Sequence, residues 1–492
     1  MSNKPFILSN KSEDKKEFEA MINKTMASFF RTIDDESAFS GINPYVLRKE
    51  INDLGFLPEK GIGFDETMKK VEETILPNLL RTWSTSYMPH LHSPALLETI
   101  ASELLIAAFN DSMDSWDQGP AATEVEEAMI HGLLNLYGYK EGADGCFTSG
   151  GSQSNISAII AARDWYLGEN FGLDVKKRGI DGRPLTLYTS EISHFSMDKG
   201  CHILGLGYDA VRKIPVDDRC KVNINAFKAM VEEDVDNGFY PFAAVATIGT
   251  TDFGSIDDVK AMREICDKYG MHLHADAAYG SGAIMSSKYR ERIGDLSLAD
   301  SITIDFHKMF LLPISCSALL MKNGKKLECF ELHADYLNRE EDEEDGYINL
   351  VGKSMQTTRR FDALKVFMAF QTRGKDGFDE MITKVIDNAD YFWSLIKDDP
   401  DFIVPVKPEL SSVVFALTDG DEVNKRVRRR LLENGTVIGQ TVMNGKVMLK
   451  FTLLNPNLDF SDFPALIEKI KEYRGNCKTR KLPQNMNLYA MR

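Results

Sequence analysis

The chain has no apolar run long enough to cross a bilayer, no Cys-x-x-Cys pair and no excess of basic residues. A membrane-spanning helix needs about 20 consecutive apolar residues, so the first absence argues against one. The seven cysteines stand singly, an odd and scattered set that reads as reduced thiols rather than a disulfide framework or a zinc site. Lys and Arg total 58 against 74 Asp and Glu, and the formal net charge of −16 disfavours nucleic acid and anionic membranes as partners. Met1 to Asn10 carries one short apolar patch followed by charged residues, without the apolar core of a signal peptide. A cytoplasmic location is therefore the default expectation. What is present is ordinary: 43% hydrophobic and 27% charged residues over 492 positions, enough for a large core domain with smaller appendages.

Phe18, Met21, Ile22, Thr25, Phe29 and Ile33 recur at helical spacing and predict an amphipathic helix over about 14–33. Residues 1–89 read as an N-terminal helical arm whose apolar stripe needs a partner surface. From 90 to 373, helical patterns alternate with short apolar runs, the signature of an α/β domain with a mainly parallel sheet covered by helices. Within it Ala243 to Ile248 reads as a strand, Ile256 to Tyr269 as a helix and Met271 to Ala275 as the next strand. Residues 374–492 read as a small α+β domain: a strand at Val413 to Leu417, a helix at Asp421 to Asn434, and a hairpin from Val437 to Thr452 turning at Asn444-Gly445.

Four segments carry chemistry. Thr148 to Asn155, with two glycines and three serines, precedes an alanine-rich helix predicted over Ile156 to Tyr166. Backbone N–H groups at such a turn can cradle a phosphate, with Gly151 and Ser152 as its contacts, although a plain helix cap has the same composition. His272, His274 and Asp276 alternate along a strand and share one face, so a metal-dependent hydrolase using His272 and His274 is a fair alternative. Asp276, however, stands near the C-terminal end of that strand, where parallel-sheet enzymes bind ligands and a carboxylate can pair with a protonated ring nitrogen. The apolar strand Ser301 to Asp305 ends in Phe306, His307 and Lys308. A lysine in that apolar setting is costly to bury unused and has the position to form a Schiff base. His194 lies on a polar loop after a strand-like Thr186 to Tyr188, fit either to stack on a cofactor ring or to sit satisfied at the surface.

Together the Ser-Gly-Gly-Ser loop, His194, Ile248 to Thr251, His274 to Tyr279 and His307-Lys308 resemble the group II pyridoxal-phosphate decarboxylases over nearly the whole chain. That resemblance implies a type I aminotransferase-like fold and a homodimer with active sites at the subunit boundary. It implies that Lys308 holds pyridoxal 5'-phosphate, that Asp276 partners the pyridine nitrogen, and that His194 and Ala278 cover the two ring faces. Gly151, Ser152 and His307 would hold the phosphate, Thr250 would line the site, and Tyr336 would donate a proton from a mobile loop. Asp305 departs from the asparagine of the aromatic decarboxylases. The segments Ser112 to Gln118, Asp305 to Lys308, His333 to Glu341, Arg360 to Lys365 and Lys450 to Pro456 are similar to the diaminobutyrate and siderophore-type lysine decarboxylases. This narrower likeness implies a diamino acid as substrate, with Asp114 and Asp117 as candidates for its distal ammonium. An aromatic amino-acid decarboxylase and a non-catalytic protein of the same fold remain as alternatives. No metal is expected.

Overall fold

A computed structural model describes residues 7–333 and 345–475. Seven strands form the main sheet: β1 (Asp144–Thr148), β2 (Leu185–Ser190), β3 (Val211–Ile214), β4 (Tyr240–Thr247), β5 (His272–Asp276), β6 (Ser301–Asp305) and β7 (Ser317–Met321). Their order is β1-β7-β6-β5-β4-β2-β3, and β7 alone runs antiparallel to its neighbours. β5, β6 and β7 are buried at every residue. Both faces of these strands are covered, so even His272 and His274 of β5 and Ser301 and Thr303 of β6 are buried. A second, antiparallel sheet joins β8 (Phe402–Ile403), β9 (Ser412–Leu417), β10 (Gly439–Met443) and β11 (Lys446–Thr452) in the order β10-β11-β9-β8.

The predicted N-terminal helix is found at Ser12–Thr32, and the hairpin turns at Asn444 and Gly445, whose φ values of 50° and 75° both lie in the left-handed region. Two helix starts differ from expectation. The helix after β4 runs Val259–Tyr269 rather than from Ile256, because Asp258 caps it by accepting Ala261 N–H at 3.0 Å. Ile256 instead bridges to Ile248. The helix after β1 runs Gly151–Phe171, five residues earlier than the predicted Ile156. The glycine-serine stretch is thus the first turn of a helix, not a loop ahead of it.

One long helix, Ala363–Ile396, links the two sheets and breaks at Gly374, where φ is 60°. Its buried apolar residues from Ala363 to Ile386 join the core of the main sheet, whereas Ala389, Phe392 and Ile396 join the core of the small one. Just ahead of it, Arg359 pairs with Glu126 beneath β1, their side chains 3% and 0% exposed. The same guanidinium donates to Phe147 O at 2.9 Å, and Glu126 Oε1 accepts Phe147 N–H at 3.0 Å. Removing one partner strands a buried charge, so Arg359→Met is expected to lower unfolding stability by about 3–5 kcal/mol in urea titrations. The double variant with Glu126→Leu should recover most of the loss, and an undiminished single variant would contradict the account. No helix among the described residues is long and apolar enough to cross a membrane.

Candidate active site

β5 and β6 lie side by side and parallel, with Asp276 opposite Thr303, so their C-terminal ends open on the same sheet edge. A cavity of about 400 Å³ occupies that edge. It is lined by Gly151, Ser152, His194, Asp276, Ala278, His307 and Lys308, all nominated by the sequence, and also by Ser149, Asn155, Thr251, Tyr279 and Asp305. A larger groove of about 980 Å³, bordered by Lys288, Asp379 and Asp387, contains none of them.

Lys308 lies three residues past the end of β6, and its Nζ is 2.8 Å from Asp305 Oδ2. Burial pushes the Asp305 carboxyl up, but the Lys308 ammonium and then His307 outweigh it and hold the group below its usual value. Gly151 packs directly on that carboxylate: a Cβ at this position would sit 2.9 Å from both Asp305 oxygens. Asp305 therefore lies beneath the positive end of the helix as well as beside an ammonium. Both neighbours favour a carboxylate at position 305. His307 Nε2 is 3.6 Å from Asp305 Oδ2, and burial lowers the His307 imidazole.

Asp276 ends β5, where its Oδ2 accepts from Asn155 Nδ2 at 3.0 Å and its Oδ1 from Ala278 N–H at 3.3 Å. His194 Nδ1 accepts Ser196 N–H at 3.2 Å and lies 2.9 Å from Ser196 Oγ, which fixes the ring after β2. Burial lowers this imidazole too, against the opposing pull of Asp276. Gly151 and Ser152 open their helix at the cavity wall, where no preceding turn supplies carbonyls for their N–H groups. An anion cradle, a buried carboxylate, an imidazole and an amine thus line one cavity. That set fits pyridoxal phosphate.

Three nominated residues stand elsewhere. Thr250 is turned away because Gly249 N–H and Thr250 N–H both donate to Ser255 O at 3.0 Å, folding its hydroxyl to 2.7 Å from Ser255 Oγ. Gly249 and Thr251 reach the cavity instead. Asp114 and Asp117 do not line it either: Ser112 Oγ donates to Asp114 Oδ1 and Ser115 Oγ to Asp117 Oδ1, each at 2.5 Å, the local pairing expected of such residues. Asp111, which the sequence did not single out, lines an adjoining cavity of about 640 Å³ that shares Ser149 and Ser315 with the first. No periodicity marks it. Tyr336 lies outside the described residues. Lys450 of β11, in a segment singled out for its resemblance, donates to Thr251 O at 3.2 Å and Asp252 Oδ1 at 2.9 Å, tying the small sheet to the cavity wall.

The metal alternative meets a geometric objection, since each ring nitrogen of His272 and His274 is within hydrogen-bond distance of a serine, asparagine or lysine side chain. Among the described residues no group of three or more His, Cys, Asp or Glu is placed to hold a metal.

Residues 49–418 match the model of the pyridoxal-dependent decarboxylase conserved domain. An L-2,4-diaminobutyrate decarboxylase of Rhizobium meliloti is 36% identical, with 92% of this chain and 90% of the relative aligned. An aromatic-L-amino-acid decarboxylase of Bacillus atrophaeus is 26% identical, over 87% and 89%. Among solved structures, the glutamate decarboxylase domain of diaminobutyrate-pyruvate transaminase and L-2,4-diaminobutyrate decarboxylase from Vibrio parahaemolyticus superposes with a TM-score of 0.87. It is 33% identical and covers 96% of this chain and 98% of its own.

Proposed function

Since the chain belongs to the pyridoxal-dependent decarboxylase family, we propose that it converts an L-2,4-diamino acid, with diaminobutyrate as the first candidate, to the diamine and carbon dioxide. The observation that carries this reading is the single cavity in which Lys308, Asp276 and His194 meet the helix that begins at Gly151. When bound, pyridoxal phosphate supplies an electron sink for the pair left on Cα by departing carbon dioxide. The chain supplies the rest. Lys308 would hold the cofactor through its Nζ, and Asp305, 2.8 Å from that nitrogen, balances its charge while the amine is free. Asp276 would keep a proton on the ring nitrogen, His194 and Ala278 would flank the ring, and Gly151, Ser152 and His307 would take the phosphate. His194 or Tyr336 returns a proton to the substrate Cα. The Asp111 carboxylate, in the adjoining cavity, is assigned to the distal ammonium.

The catalytic unit in this reading is a homodimer. Leu97, Ile100, Leu104 and Phe109 are exposed along the helix Leu97–Phe109, and Phe29, Phe30 and Trp83 are exposed in the N-terminal arm. Apolar surface of this kind suits a second copy. The six described cysteines are free thiols, in keeping with a cytoplasmic setting.

The test is to incubate the loaded enzyme separately with diaminobutyrate, ornithine, lysine, glutamate, aspartate, tyrosine and tryptophan and identify the amine formed. Diaminobutyrate should give the highest kcat/KM, and Asp111→Asn should lower it about tenfold, chiefly through KM. Preferential turnover of tyrosine or tryptophan would replace this substrate assignment with the aromatic one.

A further inference from the structure

The mechanism above uses neither His272 nor His274, yet both imidazoles are buried within β5 and every nitrogen of both is engaged. Lys326 Nζ lies 3.1 Å from His272 Nδ1, and His272 Nε2 lies 2.8 Å from Ser301 Oγ. The same hydroxyl is 2.7 Å from His274 Nδ1, and His274 Nε2 is 3.0 Å from Asn155 Oδ1. Asn155 Nδ2 then donates to Asp276 Oδ2 at 3.0 Å. The contacts form one unbroken chain from Lys326 to the active-site carboxylate.

Its direction is fixed at both ends. A carboxylate only accepts, so Asn155 must turn its NH2 to Asp276 and its oxygen to His274, which makes His274 Nε2 the protonated nitrogen. His274 Nδ1 then accepts from the Ser301 hydroxyl, leaving that oxygen to accept from His272 Nε2–H. His272 Nδ1 is left to accept from the Lys326 ammonium, which has only protons to offer. Reversal would set lone pair against lone pair at Asn155 and proton against proton at Lys326. Both rings are neutral in this arrangement. Burial, followed by Lys326, takes His272 well below its usual value, and burial takes His274 to about 4 despite Asp276.

Other charges surround only the outer end. Arg263 Nη1 and Leu273 N–H each donate to Asp300 Oδ2 at 2.8 Å, and that oxygen is 4.0 Å from His272 Nδ1. Burial raises the Asp300 carboxyl, against the opposing pull of the Lys326 and Arg263 cations beside it. Glu169 is a further carboxylate acting on Lys326, whose ammonium lies 5.6 Å from the Trp165 ring at a partly exposed site. A fixed charge near the surface is thereby linked through aligned donors to a group in the cavity.

We propose that His272 and Lys326 are positioning residues, the outer half of a polarised hydrogen-bond chain that orients Asp276 and keeps its Oδ2 loaded with a donor. This rests on the reading of Asp276 as the partner of the cofactor's ring nitrogen. A loaded Oδ2 is the poorer proton acceptor of that pair, so the shared proton stays on the ring, where it favours carbon dioxide loss. Aligned hydrogen bonds strengthen one another, so a break at His272 is felt at Asp276.

The experiment compares pyridoxal-phosphate-loaded wild type with His272→Phe, His272→Gln and Lys326→Met. It reads the pH titration of the cofactor's visible absorbance, the kcat and KM pH profiles, and cofactor affinity after depletion. In His272→Phe the absorbance midpoint should shift by about one pH unit, and kcat should fall about tenfold at unchanged KM. Lys326→Met should shift it in the same direction by less. His272→Gln, which can still donate to Ser301, should fall between His272→Phe and wild type. Titrations and profiles of His272→Phe and Lys326→Met that superimpose on wild type would overturn the proposal. Should His272→Phe not fold, Lys326→Met at its partly exposed site decides. A wild-type protein without a visible band or amine product would count against the functional reading itself, not against the chain.

Discussion

Lys308→Ala is expected to form no detectable amine from any amino acid, a loss on the order of 10⁴-fold or more. Lys308 is the single lysine among the residues that line the cavity, so no neighbouring amine can replace it. Borohydride reduction should fix the cofactor to Lys308 in the wild type and leave it dialysable in the variant. The substitution also removes the cation 2.8 Å from Asp305 Oδ2, at a residue 2% exposed. In the wild type that carboxyl is depressed, so its contribution to stability is present above the ordinary carboxylate range and is lost as pH falls through the lowered value. In the variant the largest opposing influence on burial is gone, so that contribution above the ordinary carboxylate range is expected to be lost. The melting temperature of Lys308→Ala relative to wild type should therefore be lower at pH 8 than at pH 5. Wild-type turnover by a folded Lys308→Ala protein would remove the basis of the proposed mechanism.

The residues legible in the sequence are those whose position follows from one strand end. Lys308, Asp276 and His194 lie just beyond or at the ends of β6, β5 and β2, and apolar runs reveal strand ends without any tertiary information. Thr250, Asp114 and Asp117 stand outside the cavity lining, each beside a hydroxyl a few residues away, a choice made by local hydrogen bonding that no period records. The start at Gly151 was missed for a related reason: serine and asparagine favour turns in isolation, whereas here Ser154 and Asn155 are buried and partnered inside a helix. The His272 and His274 pair was legible as a motif, but its hydrogen-bond partners were not. Its meaning depends on Asn155, Ser301 and Lys326, which arrive from three other elements.

Asp276→Asn is expected to lower kcat by about 10³-fold, the scale of losing a preorganised charge opposite a reacting centre. The replacement is close to isosteric, and the site is 5% exposed, so the fold should tolerate the shape. It cannot tolerate the chemistry equally well. Both carboxylate oxygens now accept, one from Asn155 Nδ2 at 3.0 Å and the other from Ala278 N–H at 3.3 Å. An amide has a single oxygen, so its NH2 must face one of these donors. Placed toward Asn155 it sets donor against donor and breaks the chain to His274. Placed toward Ala278 it keeps that chain but still presents no negative charge to the ring nitrogen. Either way the partner that would hold a proton on the cofactor's ring nitrogen is lost, which is the source of the expected fall in kcat. Asp276→Glu should retain the charge but misplace it, giving a smaller loss. Stopped-flow kinetics with diaminobutyrate and cofactor titration of the depleted protein measure both effects; an Asp276→Asn enzyme with wild-type kcat would show that the β5 carboxylate serves structure alone.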